Sequence, residues 1–299
     1  MAELRVGEGR QYRTFGEAAA VAKRGDTVVV EPGVYRERLV ADTPGVTWRA
    51  AGPGVVIDGR WDGKAHGESI FQSVVSVGSG VTLEGFTIRD CPGRAMVITG
   101  AGAVVRDCSI HNCYASGITI QEAEGALLQG VSVEKTGMKW KVARDHGSVA
   151  ALAFIECIDC VAEGCTFAQG YGEGIDIGRG SVGCKVRNCT IRDHGHVQLY
   201  FVRSWDCEAT GNVVHLSGDT NWRIGDNWPS GICIGDESGP QVAKFAHSRG
   251  NVVRGNVVVN CGTLFDVRNN ATVMTRSSWT PLLSGTRSWP GRVRGWQCI

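Results

Sequence analysis

The sequence predicts an all-β solenoid, a rod in which short parallel strands from successive turns of the chain stack on one another. The first observation is a repeat of 22 to 24 residues, and the stretches that begin at Val81, Ala103, Ala126, Cys160, Cys184, Cys207 and Asn251 align residue for residue. The second is the content of each unit: a short apolar strand, a Gly or Asn corner, a second strand, a bend and a Gly-Ile-x-Ile strand. A fixed period in this range is typical of solenoids, whose units bury a shared core.

Composition agrees with one long domain. The chain has 299 residues, 42 glycines without a Gly-X-Y period, and a net charge of +1. Glycine suits a chain that turns a corner every few residues, and a charge near zero gives no general attraction to nucleic acid or anionic membrane. We therefore expect a solenoid over residues 1–270, neither nucleic acid nor membrane as partner, and make no prediction of oligomeric state.

The N-terminal segment predicts a cap on the solenoid, within about residues 1–25. Residues 12–23 have the composition of a short helix, with Thr14 as its N-cap. Such a helix would cover strand edges that are otherwise open at the end of the stack. The strand, Pro-Gly turn and strand that follow at residues 25–40 indicate the opening coils.

This opening and the later Gly-x-x-Leu/Val-x-x-Cys/Asn-x-Ile units resemble the right-handed parallel β-helix proteins of the pectate-lyase-like superfamily, over about residues 12–270. The resemblance implies a single-stranded right-handed parallel β-helix, but it does not select one activity. Asp193-His194-x-His196 matches only part of the Asp-Pro-His-Asp signature of mannuronate C5-epimerases. The polygalacturonase pattern is not reproduced either, because Asp176 lacks the preceding Asn-Thr and no Asp-Asp pair follows.

The repeat stops after Asn270, and residues 271–299 predict an irregular tail. A C-terminal cap, an oligomerisation segment and an out-of-frame tail are all compatible with its composition. The N-terminus has no signal peptide and no run of 18 apolar residues exists, so localisation is left open, including secretion or a place on a virion after removal of a leader.

The 12 cysteines follow the repeat. Cys160, Cys184 and Cys207 share one register, Cys108, Cys165 and Cys189 another, and Cys91 and Cys113 a third. Because stacked strands lie about 4.8 Å apart, like residues form ladders. We expect buried thiols that behave as small hydrophobic side chains, without a metal site or disulfide framework.

The Gly-Ile-x-Ile strands indicate which side chains face outward. An inward column should hold Ile118, Leu152, Ile175, Leu199 and Ile232, and the next residues, Thr119, Ala153, Asp176, Tyr200 and Cys233, should face outward. The outward column becomes polar at Asp176 and Tyr200.

Two insertions, at residues 137–147 and 218–229, interrupt the spacing at the same corner. We expect them to wall a groove above Asp176 and Tyr200. Cations and aromatic rings in these loops suit an acidic sugar chain. The predicted substrate-binding residues are Trp140, Glu173, Arg179, Gln198, Arg203, Trp222, Arg223 and Trp228. In the alternative interpretation the loops are solvated decorations whose Trp residues pack on the coil.

Acid–base groups collect near the same corner. The predicted catalytic residues are His194 or His196 as base, Tyr200 as acid, Lys141 or Arg144 as the cation that neutralises an enolate, and Asp176 beside them. This set suits β-elimination or C5-epimerisation of a uronate-containing polysaccharide.

Other functions are compatible with the same residues. A glycoside hydrolase would use paired carboxylates. A non-catalytic tailspike-like or adhesion β-helix would use none, and its histidines would be hydrogen-bonded corner residues. No cofactor is predicted with certainty; if calcium is used, its ligands would be Glu173, Asp176 and Glu237.

Overall fold

The repeat folds as three parallel β-sheets that wrap around one core. The computed structural model describes residues 1–67, 69–145, 149–225, 228–236 and 247–267, together with the backbone of residues 273 and 274. Each regular coil has three strands, which enter sheets 1, 2 and 3 in that order before the chain returns to sheet 1. The strands pair in parallel with the equivalent strand of the neighbouring coil. The predicted parallel β-helix is confirmed.

The strand bounds are as follows. Sheet 1 contains Glu3–Val6, Thr27–Val30, Thr47–Ala50, Thr82–Glu84, Val104–Arg106, Leu127–Gln129, Val161–Glu163, Lys185–Arg187, Glu208–Thr210, Asn251–Arg254 and Val273–Met274. Sheet 2 contains Gly33–Tyr35, Val55–Asp58, Thr87–Cys91, Ser109–Cys113, Ser132–Thr136, Thr166–Gly170, Thr190–His194, Val213–His215 and Val257–Val259. Sheet 3 contains Leu39–Ala41, Ser73–Val77, Arg94–Ala101, Ile118–Glu124, Ala150–Ile155, Glu173–Gly178, Val197–Val202, Ser230–Gly235 and Phe265–Val267.

Sheet 3 has the register that the Gly-Ile-x-Ile strands predict. Ile118 pairs with Leu152, and the column continues through Ile175, Leu199 and Ile232. All five side chains are fully buried. Burial of each Leu or Ile contributes roughly 1.5–3 kcal/mol relative to exposure, so this column alone fixes which residues face out.

The N-terminal cap contains the predicted helix in shorter form, Phe15–Ala19. The Thr14 hydroxyl accepts a hydrogen bond from the Glu17 backbone N–H, and the Glu17 carboxylate accepts one from the Thr14 N–H, which completes a capping box. The Phe15 ring stacks on Tyr35 at 4.8 Å and meets the edge of Trp48 at 6.0 Å. The helix therefore closes the apolar end of the solenoid.

The cysteine ladders are confirmed as buried free thiols. Every cysteine in the described part of the chain is free, and all but the half-buried Cys261 are buried. At the corner between sheets 1 and 2, the Cys189 N–H donates to Oδ1 of Asn212 at 2.9 Å, while the Cys189 thiol donates to the Arg187 carbonyl at 3.2 Å. Burial raises the pKa of the Cys108 thiol to about 12, so thiolate chemistry is disfavoured there.

The last described strand, Val273–Met274, pairs with Asn251–Arg254 and so lies just beyond the predicted end of the solenoid at residue 270. Residues 275–299 lie outside the described residues, and the three hypotheses for the tail stay predictions. Within the described part of the chain, no helix has the length and apolar character that crossing a membrane requires.

Candidate functional site

The two insertions both lie at the corner between sheets 2 and 3, as predicted. The first joins Ser132–Thr136 to Ala150–Ile155 and contains a helix, Lys139–Ala143. The second joins Val213–His215 to Ser230–Gly235 and contains a 3₁₀ turn, Thr220–Trp222. A third excursion, residues 59–72, leaves at the same corner between earlier coils and was missed at the sequence level.

The first insertion is anchored by a buried lysine. The Lys139 side chain is only 2% exposed, and its Nζ lies 3.2 Å from Oδ2 of the exposed Asp145. The helix ends at Arg144 in the left-handed region (φ 54°), and the Arg144 guanidinium lies 5.7 Å from the Trp140 ring centroid. Arg144 and Trp140 therefore pair with each other, while Lys141 stays exposed.

The second insertion is anchored by aromatic contacts. The Trp222 ring lies 5.0 Å from that of Tyr171, and the Tyr171 hydroxyl donates to the Asn221 carbonyl at 2.9 Å. Further along, the Arg223 guanidinium lies 3.7 Å from the Trp228 ring centroid. Because Tyr171 belongs to the first of the two coils between the insertions, it ties the second loop to the solenoid.

The insertions wall a groove of about 820 Å³, but it opens on the sheet 2 side of the corner. Its lining combines four groups that can be cationic with two carboxylates, three amides, two aromatic rings and one Met: Arg89, His111, Lys135, Lys141, Asp90, Asp219, Asn112, Gln169, Asn221, Tyr171, Trp222 and Met138. Lys141 and Trp222 are the predicted site residues among them. Neither Asp176 nor Tyr200 lines this groove, so their place in a binding surface stays a prediction.

Asp176 and Tyr200 occupy the outward face of sheet 3, where the register prediction put them. They are paired neighbours in adjacent coils. Asp176 is partly exposed, whereas Tyr200 is only 7% exposed, and a Cβ built on Gly235 would lie 2.9 Å from the Tyr200 hydroxyl. The Tyr200 ring therefore lies over the next coil.

His194 faces inward, contrary to our expectation of an exposed base. Its side chain is 1% exposed, and a Cβ on Gly170 would lie 2.6 Å from its Nδ1. Burial lowers its pKa from 6.5 to about 4. The side chain of Gln198, also buried, accepts from the His194 N–H at 3.0 Å and donates to its carbonyl at 2.9 Å. We therefore assign His194 and Gln198 to the scaffold.

His196 and Glu173 form a partly exposed acid–base pair at the start of the sheet 3 strands. Nδ1 of His196 lies 3.4 Å from Oε1 of Glu173, and the two side chains are 38% and 20% exposed. The hydrogen bond to Glu173 raises the pKa of His196 above 6.5, against the lowering effect of burial. A histidine oriented by a carboxylate is a proton-transfer group with access to solvent.

Arg179 and Arg203 follow the same two strands. Both are half-buried and adopt the left-handed region, with φ of 52° and 48°, and the Arg179 N–H donates to the Val202 carbonyl at 3.1 Å. The pKa of Arg94, at the start of an earlier sheet 3 strand, is lowered by burial and then by the charge of Arg179. The positive charge of Arg179 therefore acts on a residue of the sheet 3 side of the solenoid.

The hypothetical calcium ligands do not form a complete set in the described residues. No group of three His, Cys, Asp or Glu side chains there has the geometry to hold a metal ion. Glu173 is hydrogen-bonded to His196, and Glu237 lies outside the described residues. We derive no step through calcium.

The groove residues that the sequence prediction missed carry a signal of their own. Asp90, Asn112, Lys135 and Gln169 occupy the same corner position of successive coils, and each has a positive φ between 51° and 61°. The recurring polar residue just before Cys91, Cys113, Thr136 and Gly170 marks this column in the repeat.

Several solved structures share this fold. The family 28 exopolygalacturonase from Yersinia enterocolitica is 10% identical, with a TM-score of 0.61 over 92% of this chain and 71% of that one. The pectate lyase Pel9A is 12% identical, with a TM-score of 0.58 over 91% and 79%. DFA-IIIase from Arthrobacter chlorophenolicus A6 is 13% identical, with a TM-score of 0.56 over 82% and 71%. No curated protein matches the chain in sequence.

A family model matches the repeats themselves. The match extends over residues 65–214, half of the chain, and its family is described as the right-handed β-helix region. This segment includes the first insertion, the His196–Glu173 pair and most of the groove floor. The chain belongs to the right-handed β-helix family.

Proposed function

We propose that the protein binds an acidic polysaccharide and cleaves it by β-elimination, or epimerises it, on the sheet 3 side of the corner. The observation that carries the proposal is the partly exposed contact of His196 with Glu173. Three enzymes that share the fold, a pectate lyase, an exopolygalacturonase and DFA-IIIase, support a carbohydrate substrate.

The proposed chemistry begins with neutral His196. It accepts the proton on the carbon beside a uronate carboxylate, and Glu173 stabilises the imidazolium that forms. The electron pair from the broken C–H bond becomes an enolate, while Arg179 and Arg203, at the far ends of the same two strands, bind carboxylates elsewhere along the sugar chain. In elimination, these electrons then form a C=C bond as the 4-linked sugar leaves with its oxygen. In epimerisation, a proton instead returns to the opposite face of the same carbon.

The acid in the second step has two candidates in adjacent coils. Tyr200 carries a hydroxyl but little exposed surface, and Asp176 is the more exposed of the two. The sequence prediction named Tyr200 as the acid, and we add Asp176, its paired neighbour, as the second candidate. His194 and Gln198 are left out because they are buried, and Lys141 is left out because it lines the groove on the sheet 2 side.

The test is an activity panel of pectate, alginate and glycosaminoglycans. Ultraviolet absorbance detects unsaturated uronates, a reducing-end assay detects hydrolysis, and proton exchange from solvent detects epimerisation. We expect wild type and His215→Gln, a half-buried histidine on sheet 2, to be active and His196→Gln to lose about 100-fold or more. New reducing ends without unsaturation would replace the proposal with hydrolysis, and no change in any substrate would leave a binding protein.

A further inference from the structure

The groove on the sheet 2 side is separate from the His196–Glu173 pair. Neither of those residues lines it, and most of its floor comes from earlier coils, although Gln169 and Tyr171 share the coil of Glu173. Arg89, at its floor, belongs to the strand Thr87–Cys91, three coils before the Glu173 strand in the stack. The groove therefore needs an explanation of its own.

Its shape is set by the corner rather than by one loop. Asp90, Asn112, Lys135 and Gln169 turn the chain in the left-handed conformation, which interrupts the strand alternation and places four polar residues of successive coils along one edge. Lys141 and Trp222, from the two insertions, rise beside this edge. A volume of about 820 Å³ lies within the range of pockets that hold small organic ligands.

The carboxylates of the groove are already engaged. Oδ1 of Asp90 accepts a hydrogen bond from Nδ2 of Asn112 at 2.5 Å, and its Oδ2 lies 3.5 Å from Nε of Arg89. Oδ1 of Asp219 accepts from both the backbone and the side-chain nitrogen of Asn221, at 3.0 and 2.7 Å. Arg89 is engaged as well, 3.2 Å from Asp58.

The lysines of the groove are available by contrast. Lys135 and Lys141 are both exposed, and neither forms an ion pair within the described ranges. Asp90 is paired with Arg89 and Asp219 keeps its charge, so the ammonium groups of Lys135 and Lys141 outnumber the one unpaired carboxylate and leave the groove attractive to anions.

The remaining lining is suited to a sugar ring. Trp222 is partly exposed and held in place by Tyr171, so it presents a rigid flat surface. Gln169 and Asn112 add amides, which can donate to and accept from hydroxyl groups. A purely inorganic anion would make no use of the aromatic wall.

We propose that this groove is a second binding site, for an oligosaccharide that bears carboxylate or sulfate groups. The anionic groups bind Lys135 and Lys141, and a ring packs on Trp222. The site stands independently of the reaction proposed at His196, and it holds a chain without acting on it. A polymer that crosses the corner can occupy both sites, which raises its overall affinity through effective concentration.

The test is calorimetric binding of tetrasaccharides to the full chain. The probes are oligogalacturonate, a sulfated heparin fragment and neutral maltotetraose, and the first two separate carboxylate from sulfate recognition. The variants are Lys135→Gln/Lys141→Gln and, as a matched control, Lys23→Gln/Lys185→Gln, which removes the same charge from the N-terminal region and from sheet 1. Trp222→Leu tests the aromatic wall, with Trp205→Leu, at the corner between sheets 3 and 1, as its control.

We expect at least one anionic probe to bind and the Lys135/Lys141 variant to bind it at least about tenfold more weakly, with the control within about twofold of wild type. Trp222→Leu should also weaken binding. Equal binding of the neutral probe, unchanged affinity in the Lys135/Lys141 variant, or no binding of either anionic probe would overturn the proposal. His196→Gln should leave this binding intact, so that failure of the reaction and failure of the groove are distinguished.

Discussion

Nδ1 of His196 and Oε1 of Glu173, on adjacent coils, lie 3.4 Å apart, and both side chains reach solvent. Main-chain pairing positions this contact, because the His196 N–H donates to the Gly172 carbonyl at 3.2 Å. Stacked coils thus align the proposed catalytic pair through main-chain pairing, without a contribution from either insertion.

The pair predicts a pH dependence with a defined sign. The hydrogen bond to Glu173 raises the pKa of His196 above 6.5, and the proposed base is the neutral form. Activity, measured as kcat/KM, should therefore rise with pH through a pKa above 6.5. Glu173→Gln removes the charge that stabilises the imidazolium, so the rise of kcat/KM with pH should occur at lower pH in this variant. Glu163→Gln on sheet 1 is the control. If the rise occurred at the same pH in the wild type and in both variants, the role of Glu173 would be contradicted.

His194 predicts a loss of stability in acid. In the unfolded chain its pKa is close to 6.5, whereas burial lowers it to about 4 in the folded state. Between these values the unfolded state binds more protons, so the free energy of unfolding should fall as pH falls, by up to about 3 kcal/mol. Urea unfolding at several pH values measures this effect.

The matched variants for that measurement are His194→Gln and His215→Gln. The first should flatten the acid dependence whatever its stability at neutral pH, and the second should keep it. If His194→Gln retained the full acid dependence while His215→Gln lost it, the assignment of His194 to the buried scaffold would be contradicted.

The hydrogen bonds of Cys189 predict that Cys and Asn are interchangeable at the corner between sheets 1 and 2. Asn212 and Asn256 occupy the equivalent position in later coils, where each side-chain oxygen accepts the N–H of the equivalent residue in the preceding coil. Cys189→Asn should extend this ladder and change the free energy of unfolding by less than about 1 kcal/mol. Cys189→Leu overfills the corner and should lose roughly 1–3 kcal/mol. Equal losses in the two variants, measured by urea unfolding, would reject the ladder.

The sequence predicted the fold because the repeat carries it directly. Inward Ile and Leu recur at one position, and a slip of one residue would expose the whole column, so the pairing of Ile118 with Leu152 follows from hydrophobic burial alone. The Thr14 cap and the cysteine registers follow from equally local chemistry.

The side chains at the corner were harder to predict because period-two alternation ends there. Asp193 adopts φ of 58°, so the residue after it does not continue the strand pattern, and His194 turns inward while His196 remains partly exposed. The side of the corner towards which the insertions fold could not be predicted either. It depends on contacts such as that of Tyr171 with Asn221, which are 50 residues apart in sequence.

The most direct test of the central claim is a histidine-selective NMR titration of the full chain with an oligouronate. The ring signal of His196, assigned by its loss in His196→Gln, should shift on addition of the sugar, while that of His194 stays in place. Glu173→Gln should alter the free His196 signal and leave that of His215 unchanged. A saturating oligouronate that leaves the His196 signal unmoved would contradict the claim that the substrate contacts the His196–Glu173 pair.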